Sequence, residues 1–282
     1  MTCGWMAAAA LLSLGVVVVA YRVRALSVSG ALAAWGVGTL ALGFGGPVVA
    51  LSVILFFTSS TVLTRLGTRR KAPLVNEYAK GGRRDWGQVL GNGGIAAALA
   101  LVLAWARPEW RTFVFYALVG ALAAATADTW ATEVGGLFPS PRLLTTGARV
   151  PPGTSGAVTW QGVLISLIAG VTLGGSAAAL THVRWPVWNP APSVHVLSLA
   201  GWGSLAGGMG SLFDSWLGAT VQAMYYCARC NKHTERAIHT CGAQTRHIRG
   251  WRWMSNDVVN FAATLLGSIM GLLGSVLQMS YG

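Results

Sequence analysis

Asp128, in Ala127-Asp128-Thr129-Trp130-Ala131-Thr132-Glu133, and Asp214, in Gly210-Ser211-Leu212-Phe213-Asp214-Ser215-Trp216, stand in stretches otherwise made of small and apolar residues. Only 8 Asp and Glu occur in the 282 residues. An ionisable group in apolar surroundings is costly unless it meets a cation, a partner or water, so it marks a candidate site. Carboxylates placed in this way suit two chemistries. They can hold a divalent cation against phosphate oxygens, or they can carry a coupled ion across a membrane. The competing reading is that each pairs with a loop Arg and merely fixes helix packing.

Polar groups recur near both acids. Gln88 and Asn92 share a helix face at i, i+4, with Gly93 beside them. Gly153-Thr154-Ser155-Gly156 and Asn256-Asp257-Val258-Val259-Asn260 open two further apolar stretches. Ser211, Asp214, Gly218 and Gln222 recur at spacings of three and four, which makes one polar and small stripe on a helix, with Ser215 next to it. Glycine at such helix ends lets backbone N–H groups approach an oxyanion. Asp128 and Thr132 share a face, whereas Glu133 is turned about 140° from Asp128 on a regular helix and is expected to look elsewhere, toward a basic loop. Taken singly, Gln88, Asn92 and Asn260 read equally well as hydrogen bonds between helices, and Gly153 to Gly156 as an ordinary helix start.

These residues must be positioned by membrane helices. The chain is 54% hydrophobic and 10% charged, with mean hydropathy +0.56, and its apolar segments repeatedly reach the ~20 residues that cross a hydrocarbon core. The expected fold is all-α: one polytopic bundle over 1–282 with eight spans, near 4–21, 27–45, 47–65, 87–105, 112–136, 156–180, 196–225 and 256–280. Gly45-Gly46-Pro47 is read as a tight turn between the second and third; read as a kink, it leaves seven. With eight spans, 17 of the 20 Lys and Arg fall on one side, and only Arg107, Arg111 and Arg184 on the other. That asymmetry places the basic loops in the cytoplasm and both termini outside. The formal charge of +12 is then mostly topology, which argues against nucleic-acid binding and for contact with phosphates and anionic membrane lipids. Lys71, Arg83 and Arg84 are individually topology determinants or phosphate contacts. The first span, with no base before it and Arg22 and Arg24 after it, reads as a retained anchor with its N-terminus outside. Asp-Thr-Trp at 128 and Asp-Ser-Trp at 214 are either an internal repeat or two independent uses of an interfacial Trp.

The loop 226–255 carries Cys227-x-x-Cys230 and then His239-x-Cys241, a zinc-ligand composition, and its cytoplasmic placement argues against a disulfide. Four soft ligands would close a tetrahedral structural site and fix Asp257 near Asp214. His233 is an alternative fourth ligand, and reduced thiols in a metal-free loop are the competing reading.

Several ordered motifs carry a resemblance: Leu26-Ser-Val-Ser-Gly30-Ala31, Phe56-Phe57-Thr-Ser-Ser60, Gln88-Val-Leu-Gly-Asn92-Gly93-Gly94, Ala127-Asp128 to Gly135, Gly153 to Gly156, Gly210 to Ala219 and Asn256 to Asn260. Nearly end to end, the chain resembles the integral-membrane family that includes the plant phytyl-phosphate kinase. The resemblance implies phosphoryl transfer from a nucleoside triphosphate, CTP or ATP, to an isoprenyl monophosphate in the cytoplasmic membrane of a prokaryote, with the site facing the cytoplasm. Asp128 and Asp214 would hold Mg²⁺, with Asp257 and Glu133 as further ligands. Gln88, Asn92, Gly93, Gly153, Thr154, Ser155, Gly156, Ser211, Ser215, Asn256 and Asn260 would face phosphate oxygens, and Arg83, Arg84 and Lys71 would clamp them. No Gly-x-x-x-x-Gly-Lys loop occurs, so nucleotide binding would not be of that type. The alternatives are a transporter or flippase of polyprenyl phosphate, and a phosphotransferase with another lipid acceptor.

Overall fold

A computed structural model describes residues 2–71 and 83–281, the side chains of 67–71 and 279–281 excepted. Among these residues, seven helices are long and apolar enough to cross a membrane: α1 (Cys3–Arg22), α2 (Val28–Lys71), α3 (Trp86–Trp105), α4 (Pro108–Gly135), α5 (Trp160–Thr181), α6 (Val196–Thr220) and α7 (Asn256–Tyr281). Two small antiparallel sheets, which helical periodicity did not announce, fill the longer loops. One pairs β1 (Arg142–Leu143) with β2 (Ala157–Val158). The other places β3 (Met224–Cys227) between β4 (Lys232–Thr234) and β5 (Arg246–Arg249).

At 44 residues α2 would be about 66 Å long if straight, roughly twice a hydrocarbon core. Gly46 breaks it with φ 73° and ψ −174°, and Pro47 starts the helix anew, where a missing N–H costs nothing. The contacts require a reversal there. Arg65 donates to the Val23 carbonyl and Phe57 packs with Leu26, so residues 57–65 return to the level at which α2 began. At the other end Trp5 donates to the Gly43 carbonyl at 3.0 Å, and a Cβ on Gly46 would stand 3.0 Å from the Trp188 carbonyl oxygen and the Asn189 Cα. The turn needs glycine for its positive φ and for this close approach. Thus α2 is two antiparallel arms, 28–45 and 47–71, and seven helical elements make eight crossings.

The helix ends form two layers. Trp5, Gly46, Trp188 and the Tyr116–Ser198–Gln278 hydrogen-bonded group mark one layer. Arg84, Glu133, Ser155 and Gly218 mark the other, where the described basic loops also lie. The center of the bundle is α4, which touches α2, α3, α5, α6 and α7 and is buried almost continuously from Phe115 to Ala127. In lipid, apolar side chains gain little from leaving one apolar phase for another, so helices associate through close van der Waals approach. Glycine makes that approach possible here. A Cβ on Gly120 would lie 2.2 Å from the Gly267 carbonyl oxygen, and one on Gly170 2.2 Å from that of Gly203.

Candidate functional site

The seam between α4 and α6 aims the two half-buried acids. A Cβ on Gly210 would lie 2.5 Å from Ala124 Cβ, and one on Gly207 3.1 Å from Ala127 Cβ, so the backbones meet just before Asp128 and Asp214. Both acids lie about 10 Å, or two helical turns, from the ends of their helices. They line a cavity of about 400 Å³ at the basic end and repel one another electrostatically. Asp214 Oδ2 is buried and has no hydrogen-bond partner among the described residues. A buried carboxylate oxygen without a donor is unfavourable by several kcal/mol at most sites, and either a proton or a bound cation relieves it. The set of carboxylate, hydroxyl and amide oxygens around this cavity therefore fits a hard, oxygen-preferring cation such as Mg²⁺.

Arg84 enters from the segment before α3. Its backbone is fixed to the α1–α2 junction by Arg84 N–H to the Ala25 carbonyl (3.0 Å) and Ser27 N–H to the Arg84 carbonyl (2.9 Å). Gly30 admits this contact, since a Cβ there would lie 2.0 Å from the Arg84 oxygen. The guanidinium lies 5.4 Å and 5.3 Å from the ring centers of Phe56 and Phe57. Burial lowers its pKa to about 10 and the Glu133 carboxylate opposes that fall, so Arg84 remains a cation at neutral pH. Glu133 itself accepts a hydrogen bond from Thr64 Oγ1 at 2.9 Å and lines the same cavity as Asp128. Glu133 does face a basic loop, acting on Arg84, but it does not leave the site: the cavity wraps the end of α4, and faces about 140° apart both border it.

Gln88, Asn92, Gly153, Thr154, Ser155, Gly156, Ser211, Ser215, Asn256 and Asn260 all line the cavity. Several are already engaged within the fold. Gln88 and Asp85 form a capping box at the start of α3, and Asn92 donates to the Gln88 carbonyl at 2.9 Å. Thr154 donates to the Pro151 carbonyl at 2.7 Å, and Ser155 donates to Gln222 Oε1 at 3.0 Å and to the Gly218 carbonyl at 3.2 Å. The turn is thereby tied to the end of α6. Three expectations need correction. Gly93 faces the first arm of α2, 3.2 Å from Val37 if given a Cβ; Arg83 is exposed and does not line the cavity; and Asp257 is absent from its wall, its carbonyl packing on Gly91. The Lys71 side chain lies outside the described residues. Thr61, Thr64 and Glu235, which the sequence reading did not single out, also line the cavity.

Gly156 has φ 82°, and a Cβ there would lie 2.3 Å from Ala219 N. Gly156→Ala is therefore expected to destabilise by at least about 2 kcal/mol, from left-handed strain and overpacking together. Gly147→Ala, at φ 68° but with open space around it, is expected to cost only about 1 kcal/mol. Thermal unfolding of the two variants in one detergent compares them, and equal losses would reject the claimed docking of the turn on α6.

In the second sheet the ligand atoms of Cys227, Cys230, His239 and Cys241 lie within 4.8 Å of one another. Cys227 Sγ and Cys241 Sγ are 3.7 Å apart, and His239 Nδ1 is 3.2 Å from Cys241 Sγ. A tetrahedral center with metal–sulfur bonds of ~2.3 Å has sulfur–sulfur edges of about 3.8 Å. Hydrogen bonds set the thiols apart: the Ala243 backbone and then His239 hold Cys241 down to about 6, whereas its hydrogen bond with Cys241 pushes Cys230 up to about 11, so the geometry and not the titration carries the metal reading. His239 and not His233 completes the cluster; the His233 ring packs edge-on against Tyr226.

Eight crossings closed through glycine seams around an acid-lined polar cavity at the basic end define a polytopic helix-bundle membrane protein with one buried polar site. The chain belongs to the family described as "Integral membrane protein DUF92", whose model matches residues 11–268. It is 34% identical over 273 residues to Protein PGR of Arabidopsis thaliana, covering 91% of each chain. It is 29% identical to an uncharacterized membrane protein of Synechocystis, covering 85% of this chain and 78% of the relative. To chloroplastic Protein VTE6 of Arabidopsis thaliana the identity is 28%, over 89% of this chain and 66% of that one. No solved structure matches the chain.

Proposed function

We propose that the protein is a membrane phosphotransferase that moves a phosphoryl group from a nucleoside triphosphate, CTP or ATP, to an isoprenyl monophosphate such as phytyl or geranylgeranyl phosphate. The observation that carries this reading is the half-buried pair Asp128 and Asp214 on one cavity wall, with Asp214 Oδ2 itself buried and unpartnered among the described residues and a cationic Arg84 on the same wall. Membership of the family that the motifs resemble supports it. Asp128 and Asp214 would hold Mg²⁺, and Glu133, on the same cavity wall beside Arg84, is a further candidate ligand. Bound there, Mg²⁺ would neutralise charge on the phosphate oxygens and on the departing diphosphate. Arg84 would pair with the phosphates, and Asn92, Asn256, Asn260, Ser211 and Ser215 would orient their oxygens. An oxygen of the acceptor phosphate attacks the terminal phosphorus of the donor as the bond to the bridging oxygen breaks, and a nucleoside diphosphate leaves. The attacking oxygen is already ionised, so no strong base is needed. Val163, Leu212 and Phe138 line the cavity beside the polar groups, which suits an amphiphilic acceptor.

A position two turns from one helix end, not near the midplane, supports an enzyme over an alternating-access carrier. The basic loops at this end support a site that faces the cytoplasm, and the proposed setting is a prokaryotic cytoplasmic membrane. The test uses detergent-purified protein with Mg²⁺, CTP or ATP, and phytyl or geranylgeranyl monophosphate. Isoprenyl diphosphate is the expected product. No product with any pair, together with Asp128-dependent uptake of polyprenyl phosphate into vesicles, would overturn the reading in favour of transport.

A further inference from the structure

Glu235 lies outside the helices, yet it reaches the cavity. Its Oε1 accepts a hydrogen bond from Gln222 Nε2 at 2.8 Å, and its charge acts on Asp214. Gln222 is 2% exposed and accepts in turn from Ser155. A relay of hydrogen bonds thus joins the turn at 153–156, the end of α6 and the residue that follows β4.

The location of Glu235 depends on the second sheet. Its strands have four, three and four residues, too few to be stable alone. One side of the sheet is docked on α6. Arg249 donates to the Gly218 and Ala219 carbonyls at 2.6 Å and 2.7 Å, and Gly250, at φ 80°, lies where a Cβ would be 2.0 Å from the Gln222 carbonyl oxygen. The other side contains two turns. Cys227 and Cys230 occupy the first, with Asn231 at φ 53°, and His239 and Cys241 the second, with Gly242 at φ 79°. The segment between these turns contains Glu235. β4 holds one end of that segment, and Thr245, which donates to the Arg236 and Ala237 carbonyls at 2.8 Å and 2.7 Å, holds the other; a metal joining the turns would tie these two anchors to each other.

We propose that Cys227, Cys230, His239 and Cys241 bind a structural zinc ion, and that this staple holds Glu235 in the cavity as a third carboxylate for the site's divalent cation. The zinc part stands on the Cys/His geometry alone; the Glu235 part rests on the cation site of the proposed function. Three thiolates and one imidazole fill a tetrahedral shell, so this zinc leaves no open position and acts by positioning. Glu235 then adds charge and an oxygen to a site in which Asp128 and Asp214 alone would give Mg²⁺ few protein ligands.

The test reads metal, not turnover. Zinc is measured by elemental analysis of full-length protein in detergent, and Mn²⁺ binding by electron paramagnetic resonance titration. Wild type is expected to carry one zinc per chain. Glu235→Gln should keep its zinc and bind Mn²⁺ at least ~10-fold more weakly, as loss of a charged ligand implies. Cys230→Ser should lose zinc and weaken Mn²⁺ binding comparably. Because that variant can fail to fold, the same comparison is made on wild type stripped by a thiol-competing zinc chelator and then reloaded, with reloading expected to restore Mn²⁺ affinity. Wild type without zinc after growth in added zinc would overturn the staple. Unchanged Mn²⁺ binding in Glu235→Gln, or in zinc-stripped protein that stays monodisperse, would overturn the role of Glu235. Unchanged Mn²⁺ binding in Asp214→Asn, with Glu235→Gln weakened, would instead sink the assignment of the cation to Asp214.

Discussion

Asp214→Asn is expected to lower isoprenyl-diphosphate formation by about 10³-fold or more while leaving the protein as stable as wild type, or more stable, without Mg²⁺. The two effects separate the competing readings of this acid. A carboxylate that pairs with an Arg to fix packing leaves an unpaired buried cation when it is neutralised, at a cost of about 3–5 kcal/mol. Asp214 is in the opposite situation. Its Oδ2 has no donor among the described residues, and Asp128 repels it. Asn keeps the shape, removes a desolvated charge and relieves that repulsion, so folding gains where catalysis loses. Mg²⁺ should raise the melting temperature of wild type through binding to the folded state, and this rise should vanish in Asp214→Asn. Initial rates and thermal unfolding with and without Mg²⁺ provide the measurement. A variant that unfolds earlier yet keeps its rate would reject the cation assignment and restore the packing reading.

The bundle was legible because its signals are local. Apolar length gives the crossings, and Gly45-Gly46-Pro47 gives the turn, since no other tripeptide near the middle of 28–71 both permits a positive φ and restarts a helix. The meeting of Asp128, Asp214, Asn92, Gly153 to Gly156, Asn256 and Asn260 followed from counting crossings: helix ends on one side share one depth. What counting cannot give is lateral enclosure. A helical wheel states the angle between Asp128 and Glu133 but not whether one cavity wraps both faces, and α4 is surrounded on all sides. Asp257 and Gly93 failed for the same reason, being at the right depth on the wrong face. Glu235 was illegible for a different one. It belongs to a segment with no period, beside a small sheet whose pairings join residues distant in sequence, so the four Cys and His residues were readable from their spacing while the carboxylate between them was not. Two motifs of the resemblance, Leu26 to Ala31 and Phe56 to Ser60, carried no role in the sequence. The structure gives them one: Ser27 and Gly30 hold the Arg84 backbone, and Phe56 and Phe57 flank its guanidinium.

That arrangement makes Arg84 the cation of the site with the most support, and Arg84→Met should lower kcat by about 10²–10³-fold, or roughly 3–4 kcal/mol of transition-state stabilisation. The fold should survive. The backbone hydrogen bonds to Ala25 and Ser27 do not involve the side chain, and a thioether packs well against two phenyl rings. Arg22, Arg24 and Arg65 remain to set orientation, so topology should not change. The loss is expected in kcat more than in KM, because charge on the transferred phosphoryl oxygens and the leaving diphosphate shifts as the reaction proceeds. Arg84→Lys should recover no more than about 10-fold of it, since a compact ammonium cannot rest on the rings and present a planar fork to phosphate. Glu133→Gln serves as the internal comparison: it removes the carboxylate that opposes the fall in the Arg84 pKa, but a guanidinium near 10 stays charged, so any loss there belongs to Glu133 itself. Steady-state kinetics with the acceptor and the donor varied in turn provide the measurement. Rates for Arg84→Met within about threefold of wild type, a shift of well under 1 kcal/mol, would make Arg84 a determinant of topology and nothing more.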